Sequence, residues 1–397
     1  MSESWQGRTF EIEVGPVAHG GHCVSRVDGR VVFVRHALPG ERVLAEVTED
    51  AGKSFCRADA VKVLSASPQR VSPPCPVAGP GLCGGCDWQH AGADAQLDLK
   101  AAVVSEQLRR LAGIEVPVRV EALPGGLLRW RTRVRFVAGE DGRAGLRAHR
   151  SHRIVPLTDC PITTTPAVRA VLPHRWGPGN EIEVTSDAND EVHVREAGEQ
   201  RLGGVAVQRA AGRQWRLSAH GFWQVHPEAA ETFASVVADW AEASQGGLAW
   251  DLYAGAGLFA GVLAEQVGAH GRVLAVESDR RAVVDGEANT AGTPQVRWRR
   301  GAVERVLRDS RGRSARHHER PEVVVLDPPR KGAGAAVVEA VCRAGPQRVV
   351  YVACDPAALA RDLATFAARG YRLDRLRAFD AFPMTHHVEC IALLRRG

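Results

Sequence analysis

Four short apolar runs beginning at Leu248 set the strongest limit on how this chain can fold: L-A-W-D-L-Y, R-V-L-A-V-E, P-E-V-V-V-L-D and R-V-V-Y-V-A-C. Helical segments separate them. Strands of this kind, alternating with helices, predict a doubly wound α/β sheet whose ligands sit at the carboxyl ends of the strands. Upstream the texture differs. From Phe10 to about Leu64 apolar and polar residues alternate between Gly-rich turns (F-E-I-E-V, H-G-G-H, R-V-V-F-V-R, L-P-G-E-R-V-L-A-E-V), which predicts a small β-barrel. The proline-rich S-P-Q-R-V-S-P-P-C-P marks a boundary. Leu97, Val104, Leu108 and Leu111 then fall at helical spacing, predicting a helix over about 94–112 that packs on the α/β unit. Strand-like runs return between Val116 and Val207, a second mostly β region. Three units result, at 1–66, 67–215 and 216–397.

Such a division suits 397 residues, too many for one ordinary core. No uncharged apolar run approaches the roughly 18 to 20 residues that span a bilayer. The first residues, M-S-E-S-W-Q-G-R-T-F, hold no apolar signal core, so a cytoplasmic location is expected. The net charge of +5 is only mildly basic, but 47 arginines against four lysines favour a planar fork suited to phosphate and base edges. A GC-rich genome accounts for most of that bias. Nine cysteines in a chain this long point to metal binding or catalysis rather than disulfide staples.

D-L-Y-A-G-A-G-L-F follows the first strand of the α/β unit, with Gly255 and Gly257 where a ligand would approach the backbone at a helix N-terminus. Alone it is ambiguous, because G-A-G-L-F-A also fits a dinucleotide fingerprint, and Glu277, ending the next strand, is a ribose-binding acid in either case. Asp327 decides. It ends the fourth strand in V-V-L-D-P-P-R-K-G, and Asp-Pro-Pro there is typical of enzymes that use S-adenosylmethionine. Methyltransferases acting on amino groups carry an aromatic after the prolines; here Arg330 stands in that place.

Cys354 ends the fifth strand, beside a helix N-terminus that would stabilise a thiolate. Next to a methyl donor a thiol has a definite use. Uracil C5 is a poor nucleophile, but a thiolate added at C6 makes the ring an enolate that attacks through C5. A base must then remove the C5 proton. Glu389, among apolar neighbours in the last strand F-D-A-F-P-M-T-H-H-V-E-C-I-A-L-L, is the expected base, with His386 and His387 the weaker options. C-P-V-A-G-P-G-L-C-G-G-C places Cys75, Cys83 and Cys86 in one loop, and Cys160 in T-D-C-P-I completes a four-thiolate set for zinc or a [4Fe-4S] cluster. In L-R-W-R-T-R-V-R-F the period of two puts Arg129, Arg131, Arg133 and Arg135 on one strand face, a stripe suited to RNA phosphates. Arg308 to Pro321 reads as a solvated loop.

Together these motifs resemble the RNA uracil-5 methyltransferases over nearly the whole chain: F-W-Q-V-H-P, D-L-Y-A-G-A-G-L-F, V-L-D-P-P-R-K-G, A-C-D-P-A-A-L-A-R-D-L and D-A-F-P-M-T-H-H-V-E, in order. The resemblance implies Cys354 as nucleophile, Glu389 as proton acceptor, and Gln224, Tyr253, Glu277 and Asp327 as the residues binding S-adenosylmethionine. It also implies that residues 1–66, with A-L-P-G-E-R-V, form a TRAM domain, an OB-like barrel that binds RNA, ahead of a central β domain and a class I (Rossmann-like) methyltransferase domain. Members with both the barrel and four cysteines hold a [4Fe-4S] cluster and act mostly on ribosomal RNA, so a monomer modifying 23S rRNA is expected. Uridine in tRNA, cytosine C5 in RNA, or RNA binding without catalysis are the competing readings. Where related sequences read Ser-Cys-Asn-Pro, this chain has Ala-Cys-Asp-Pro. Asp355 would raise the thiol pKa unless it turns to cap the following helix.

Overall fold

A computed structural model describes residues 4–309 and 320–397. Most of the segment from Arg308 to Pro321 thus lies outside the described residues.

The α/β unit is built on an eight-stranded sheet in the order Val296–Arg300, Arg272–Glu277, Leu248–Leu252, Val323–Leu326, Arg348–Ala353, Glu389–Arg396, Tyr371–Asp380 and Val120–Ala122. The first five of these are mutually parallel, and Glu389–Arg396 inserts antiparallel between its two neighbours. Alternate side chains feed two cores. Val323, Val325, Val350 and Val352 pack under helices Ala229–Ala241 and Leu258–Val267, whereas Val324, Leu326, Val349 and Tyr351 face the other side, under Ala335–Ala344 and Pro356–Ala367. Both faces are therefore apolar, as the continuous hydrophobic runs require.

Helix Ala93–Gln107 and its continuation Leu108–Ala112 pack on this second core through Val104 and Leu108. The opposite flank of the helix, with Ala95, Leu99 and Val103, covers the barrel. That barrel comprises Thr9–Glu13, Cys23–Val27, Arg30–Arg35, Arg42–Glu49 and Phe55–Ser65. A six-stranded antiparallel sheet, from Arg133–Ala138 to Glu199–Leu202, forms the central β region. The hairpin Val205–Ala210 and Arg213–Ser218 follows, and its Trp215 and Leu217 sit in the first core of the α/β unit.

Two expectations need correction. The last strand is not continuous: Tyr371–Asp380 and Glu389–Arg396 are separate, with a loop over 381–388 between them. Pro383 lacks an N–H to pair, and Met384 takes φ 67°, so the ladder has to break there. The arginine stripe also fails, because only Arg133 and Arg135 lie in a strand. Arg129 has φ 59° and pairs with Asp159 at 2.7 Å, and Arg135 pairs with Glu183 at 2.8 Å. Arg133 turns inward onto the carbonyls of Gly221 and Ala219. These guanidiniums are engaged by the protein itself.

Candidate functional site

The nucleotide crevice opens where Leu248–Leu252 turns into helix Leu258–Val267. Tyr253, Gly255 and Gly257 take φ of 68°, 53° and 95°, a turn that glycine makes without steric cost. Glu277 folds over it. Its Oε2 accepts the Gly255 N–H at 3.0 Å, and Oε1 accepts those of Ser278 at 2.5 Å and Asp279 at 2.7 Å. Burial, then Glu277, lifts the Asp327 carboxyl to about 7. Asp251, wholly buried two residues before Tyr253, is lifted to about 8 by burial, against the opposing Ala260 N–H and with Asp327 and Glu277 adding. Three carboxyl groups thus converge on one crevice, an arrangement that favours a positively charged ligand. Burial raises the Tyr253 phenol to about 12. Gln224 is half-buried on the loop after Ser218, beside Phe222, which is 66% exposed. Arg133 anchors that loop through Ala219 and Gly221, and Thr132 Oγ1 donates to the Val225 carbonyl at 2.7 Å.

The strand register brings the two expected catalytic groups together. Ala353 pairs with Cys390, so one step further along the antiparallel ladder Cys354 comes opposite Glu389. Glu389 is 5% exposed. Burial, and after it Asp327, holds its carboxyl well above the ordinary carboxylate range, with Arg330 opposing. The Cys354 thiol is pushed up to about 12, by burial first, then by Glu389 and Asp327; Arg330 opposes and Asp355 adds to the rise. As the chain's own groups set it, both shifts run the same way, toward the protonated form.

Arg330 is the cation that opposes both shifts. Its loop is pinned from helix Pro356–Ala367, where Asp362 accepts the Ala333 N–H at 2.8 Å and the Tyr351 hydroxyl at 2.6 Å. Gly332 lies so close that a Cβ would fall 2.7 Å from the Asp362 carboxylate. Arg330 Nη2 is 3.3 Å from His387 Nε2, and burial, then His386 and Arg330, drives the His387 imidazole down to about 3. A histidine held neutral that far down is a poor proton acceptor. Asp355 does cap its helix: Oδ1 accepts the Ala358 N–H at 2.8 Å, while Oδ2 lies 3.0 Å from His19 Nε2.

Cys75, Cys83, Cys86 and Cys160 line a single small cavity with Gln89, Leu146 and Ile162. The sulfurs have donors of their own: Gly85 N–H reaches Cys83 Sγ at 3.4 Å and Thr163 Oγ1 reaches Cys160 Sγ at 3.1 Å. Among the described residues, the set of three or more candidate ligand atoms lying within 4.8 Å of one another is Asp187, Glu191 and His193, so no three of the four sulfurs gather that closely. That Asp187 set is structural: its oxygens accept the N–H groups of Asn189 at 2.9 Å, Glu191 at 3.1 Å and Val207 at 2.9 Å.

The cysteine loop continues directly onto the strap that leads to Glu389. Met384 carbonyl accepts the Asp87 and Trp88 N–H groups at 2.9 and 3.0 Å, and Asp87 Oδ2 meets His386 Nδ1 at 2.6 Å. Gln96 accepts the Met384 N–H at 2.7 Å, and the buried Lys100 pairs with Asp380. Sequence reasoning missed Arg330, Asp87, Lys100 and His19 as parts of this centre. An acid directly after Cys86 and a lone lysine inside an apolar helix were the available signals; His19 offered none.

Comparison with known proteins agrees with this arrangement. Residues 209–397 match the tRNA (Uracil-5-)-methyltransferase family and residues 3–61 match the TRAM domain. An uncharacterized RNA methyltransferase of Streptomyces avermitilis is 44% identical across 98% of both chains. This chain belongs to the RNA uracil-5 methyltransferase family. A second such methyltransferase, from Streptomyces coelicolor, is 46% identical over 98% of this chain and 93% of its own length. Among solved structures, the Pyrococcus abyssi tRNA (uracil-54, C5)-methyltransferase, in complex with S-adenosyl-L-homocysteine, superposes with a TM-score of 0.73, covering 97% of this chain and all of that one at 21% identity. The methyltransferase therefore has the fold of that enzyme, with a TRAM barrel ahead of a mixed α/β catalytic domain. Among the described residues no helix is long and apolar enough to cross a membrane.

Proposed function

We propose that this methyltransferase transfers a methyl group from S-adenosylmethionine to C5 of a uridine in 23S rRNA, through a covalent bond between Cys354 and uracil C6. The observation that carries the reading is the register that sets Cys354 opposite Glu389, at the crevice where Asp327 and Arg330 also meet. S-adenosylmethionine supplies an electrophilic methyl group, and its positive charge suits a crevice lined by Glu277 and Asp327, with Asp251 buried beneath. Tyr253, Glu277, Asp327 and Gln224 would hold it.

Cys354 gives up its proton to water and its sulfur adds to C6, opening the C5–C6 double bond so that C5 becomes nucleophilic. Arg330, already opposing the rise in the thiol pKa, favours the thiolate. Once C5 carries the methyl group, Glu389 takes the C5 proton, the C6–S bond breaks and Cys354 is released. For Glu389 to act it must first be ionised, which a cation in the crevice promotes. The target has to leave its stack to meet Cys354, and unstacking costs a few kcal/mol, so a loop or single-stranded uridine is the fitting substrate. Exposed Phe222 beside Gln224 offers such a base a stacking face. One chain supplies all these groups, which supports action as a monomer.

The four cysteines fit a [4Fe-4S] cluster better than zinc. Zinc bound at Zn–S distances of about 2.3 Å draws all its thiolates within about 4 Å of one another, a gathering that no three of these sulfurs make. A cluster attaches each thiolate to a different iron and needs the wider spacing. Anaerobically purified protein should be brown and contain iron; colourless protein with one zinc per chain overturns this assignment.

The test of function is trapping. Incubated with S-adenosylmethionine and 5-fluorouridine-substituted RNA, the enzyme should form an adduct that survives denaturation, because fluorine at C5 blocks elimination. Ribosomal RNA and tRNA are offered separately. Adduct on rRNA alone supports the proposed target, and adduct on tRNA alone replaces it. An adduct undiminished in Cys354→Ala removes the mechanism.

A further inference from the structure

The H-G-G-H turn of the barrel reaches into the catalytic centre. Gly20 and Gly21 take φ of 96° and 80°, and a Cβ on Gly21 would lie 2.8 Å from the Cβ of His386. The Gly21 carbonyl accepts the Trp88 indole N–H at 3.1 Å. So wedged between the cysteine loop and the strap before Glu389, the turn extends His19 across 336 residues of sequence to Asp355.

We infer that His19 is a positioning residue for the nucleophile: by donating its Nε2–H to Asp355 Oδ2, it holds that carboxylate toward the barrel and off the neighbouring Cys354 thiol. The geometry accounts for both Asp355 oxygens, since Oδ1 is taken by the Ala358 N–H at 2.8 Å and Oδ2 by His19 at 3.0 Å. With His19 gone, Oδ2 keeps no partner among these contacts and is free to turn to the thiol. The thiol already faces Glu389, Asp327 and Asp355 with Arg330 opposing, and Asp355 itself faces His19 and Arg361. Released from His19, the Asp355 carboxylate can come closer to the sulfur and suppress the thiolate further. The barrel thereby does more than hold RNA: it sets the reactivity of a cysteine in another domain.

This inference rests on Cys354 as the nucleophile, yet its test does not need methyl transfer. The full-length protein is alkylated with iodoacetamide across pH 6 to 10, on the order of ten points, and modification is read at the Cys354 peptide by mass spectrometry. His19→Ala should slow alkylation at pH 8 about threefold to tenfold and displace the rising limb of the rate against pH to higher pH, since thiolate falls tenfold per pKa unit. In Asp355→Asn, which leaves no carboxylate to restrain, His19→Ala should change nothing further. An equal slowing in both backgrounds shows a merely structural loss and overturns the inference, as does no slowing in either. Failure of the 5-fluorouridine adduct alongside this alkylation pattern would fault the nucleophile assignment and leave the His19 contact standing.

Discussion

Asp327→Asn should make the protein more stable while weakening its hold on the methyl donor. Asp327 is lifted from 3.8 to about 7 by burial and by Glu277. An acid whose folded pKa exceeds its unfolded value works against folding as pH rises: the unfolded chain ionises near 4, the folded chain only near 7. Below pH 4 the penalty is absent; above 7 it is complete. About three units at about 1.36 kcal/mol each give about 4 kcal/mol. Asp327 keeps part of its surface open to the crevice, so solvent screening reduces this to about 2 to 4 kcal/mol. Asparagine has nearly the same shape and does not titrate. Urea unfolding followed by tryptophan fluorescence, without donor, should therefore show Asp327→Asn ahead of the parent by no more than about 1 kcal/mol near pH 4.5 and by that margin near pH 7.5. Isothermal titration at pH 7.5 should meanwhile show S-adenosylmethionine binding at least about tenfold weaker, the loss expected for a charge-assisted contact. A stability difference equal at the two pH values would refute the claim that the crevice holds this acid against its preference.

Three further perturbations separate the parts of the site. Glu389→Gln should cut turnover by about 10² to 10⁴ while accumulating a Cys354 adduct on ordinary uridine RNA, visible on denaturing gels; normal turnover would exclude Glu389 as the base. Lys100→Met strands Asp380 in the core, where the two side chains are 0% and 2% exposed, and should cost about 3 to 5 kcal/mol in thermal or urea unfolding, largely recovered by adding Asp380→Leu. Arg133→Met should loosen the Gln224 loop, lowering donor affinity and turnover, yet leave the salt dependence of RNA binding unchanged. A shallower salt slope would restore the phosphate-contact reading of Arg133.

Much of this architecture was legible because apolar runs separated by helices admit few arrangements, and because Cys354 and Asp327 fall at the ends of adjacent strands. The four cysteines could likewise be grouped, since Gly and Pro between them leave a loop free to close. Periodicity could not tell a guanidinium facing solvent from one turned inward, so Arg133 was misread: its partners, Ala219 and Gly221, lie more than 80 residues away. The break at Pro383 was also passed over, because apolar residues on both sides gave the appearance of one strand. Least accessible was His19, whose contact with Asp355 depends on how the barrel is docked by Trp88 and helix Ala93–Gln107. Nothing local in H-G-G-H records that docking.

The position of Glu389–Arg396 has a consequence for how the enzyme comes into being. Last of the eight strands in chain order, it lies inside the sheet, between Arg348–Ala353 and Tyr371–Asp380. During synthesis, which proceeds from the N-terminus, those neighbours emerge with an unfilled slot between them. Ile391, Leu393 and Leu394, each at most 1% exposed in the finished fold, arrive after both neighbours. The strand that closes the slot is the one bearing Glu389, the proposed proton acceptor, so the nascent chain acquires a continuous sheet and the pairing of Cys354 with Glu389 together. A ribosome that stalls before it produces neither, and leaves two open strand edges for chaperones or proteases to find.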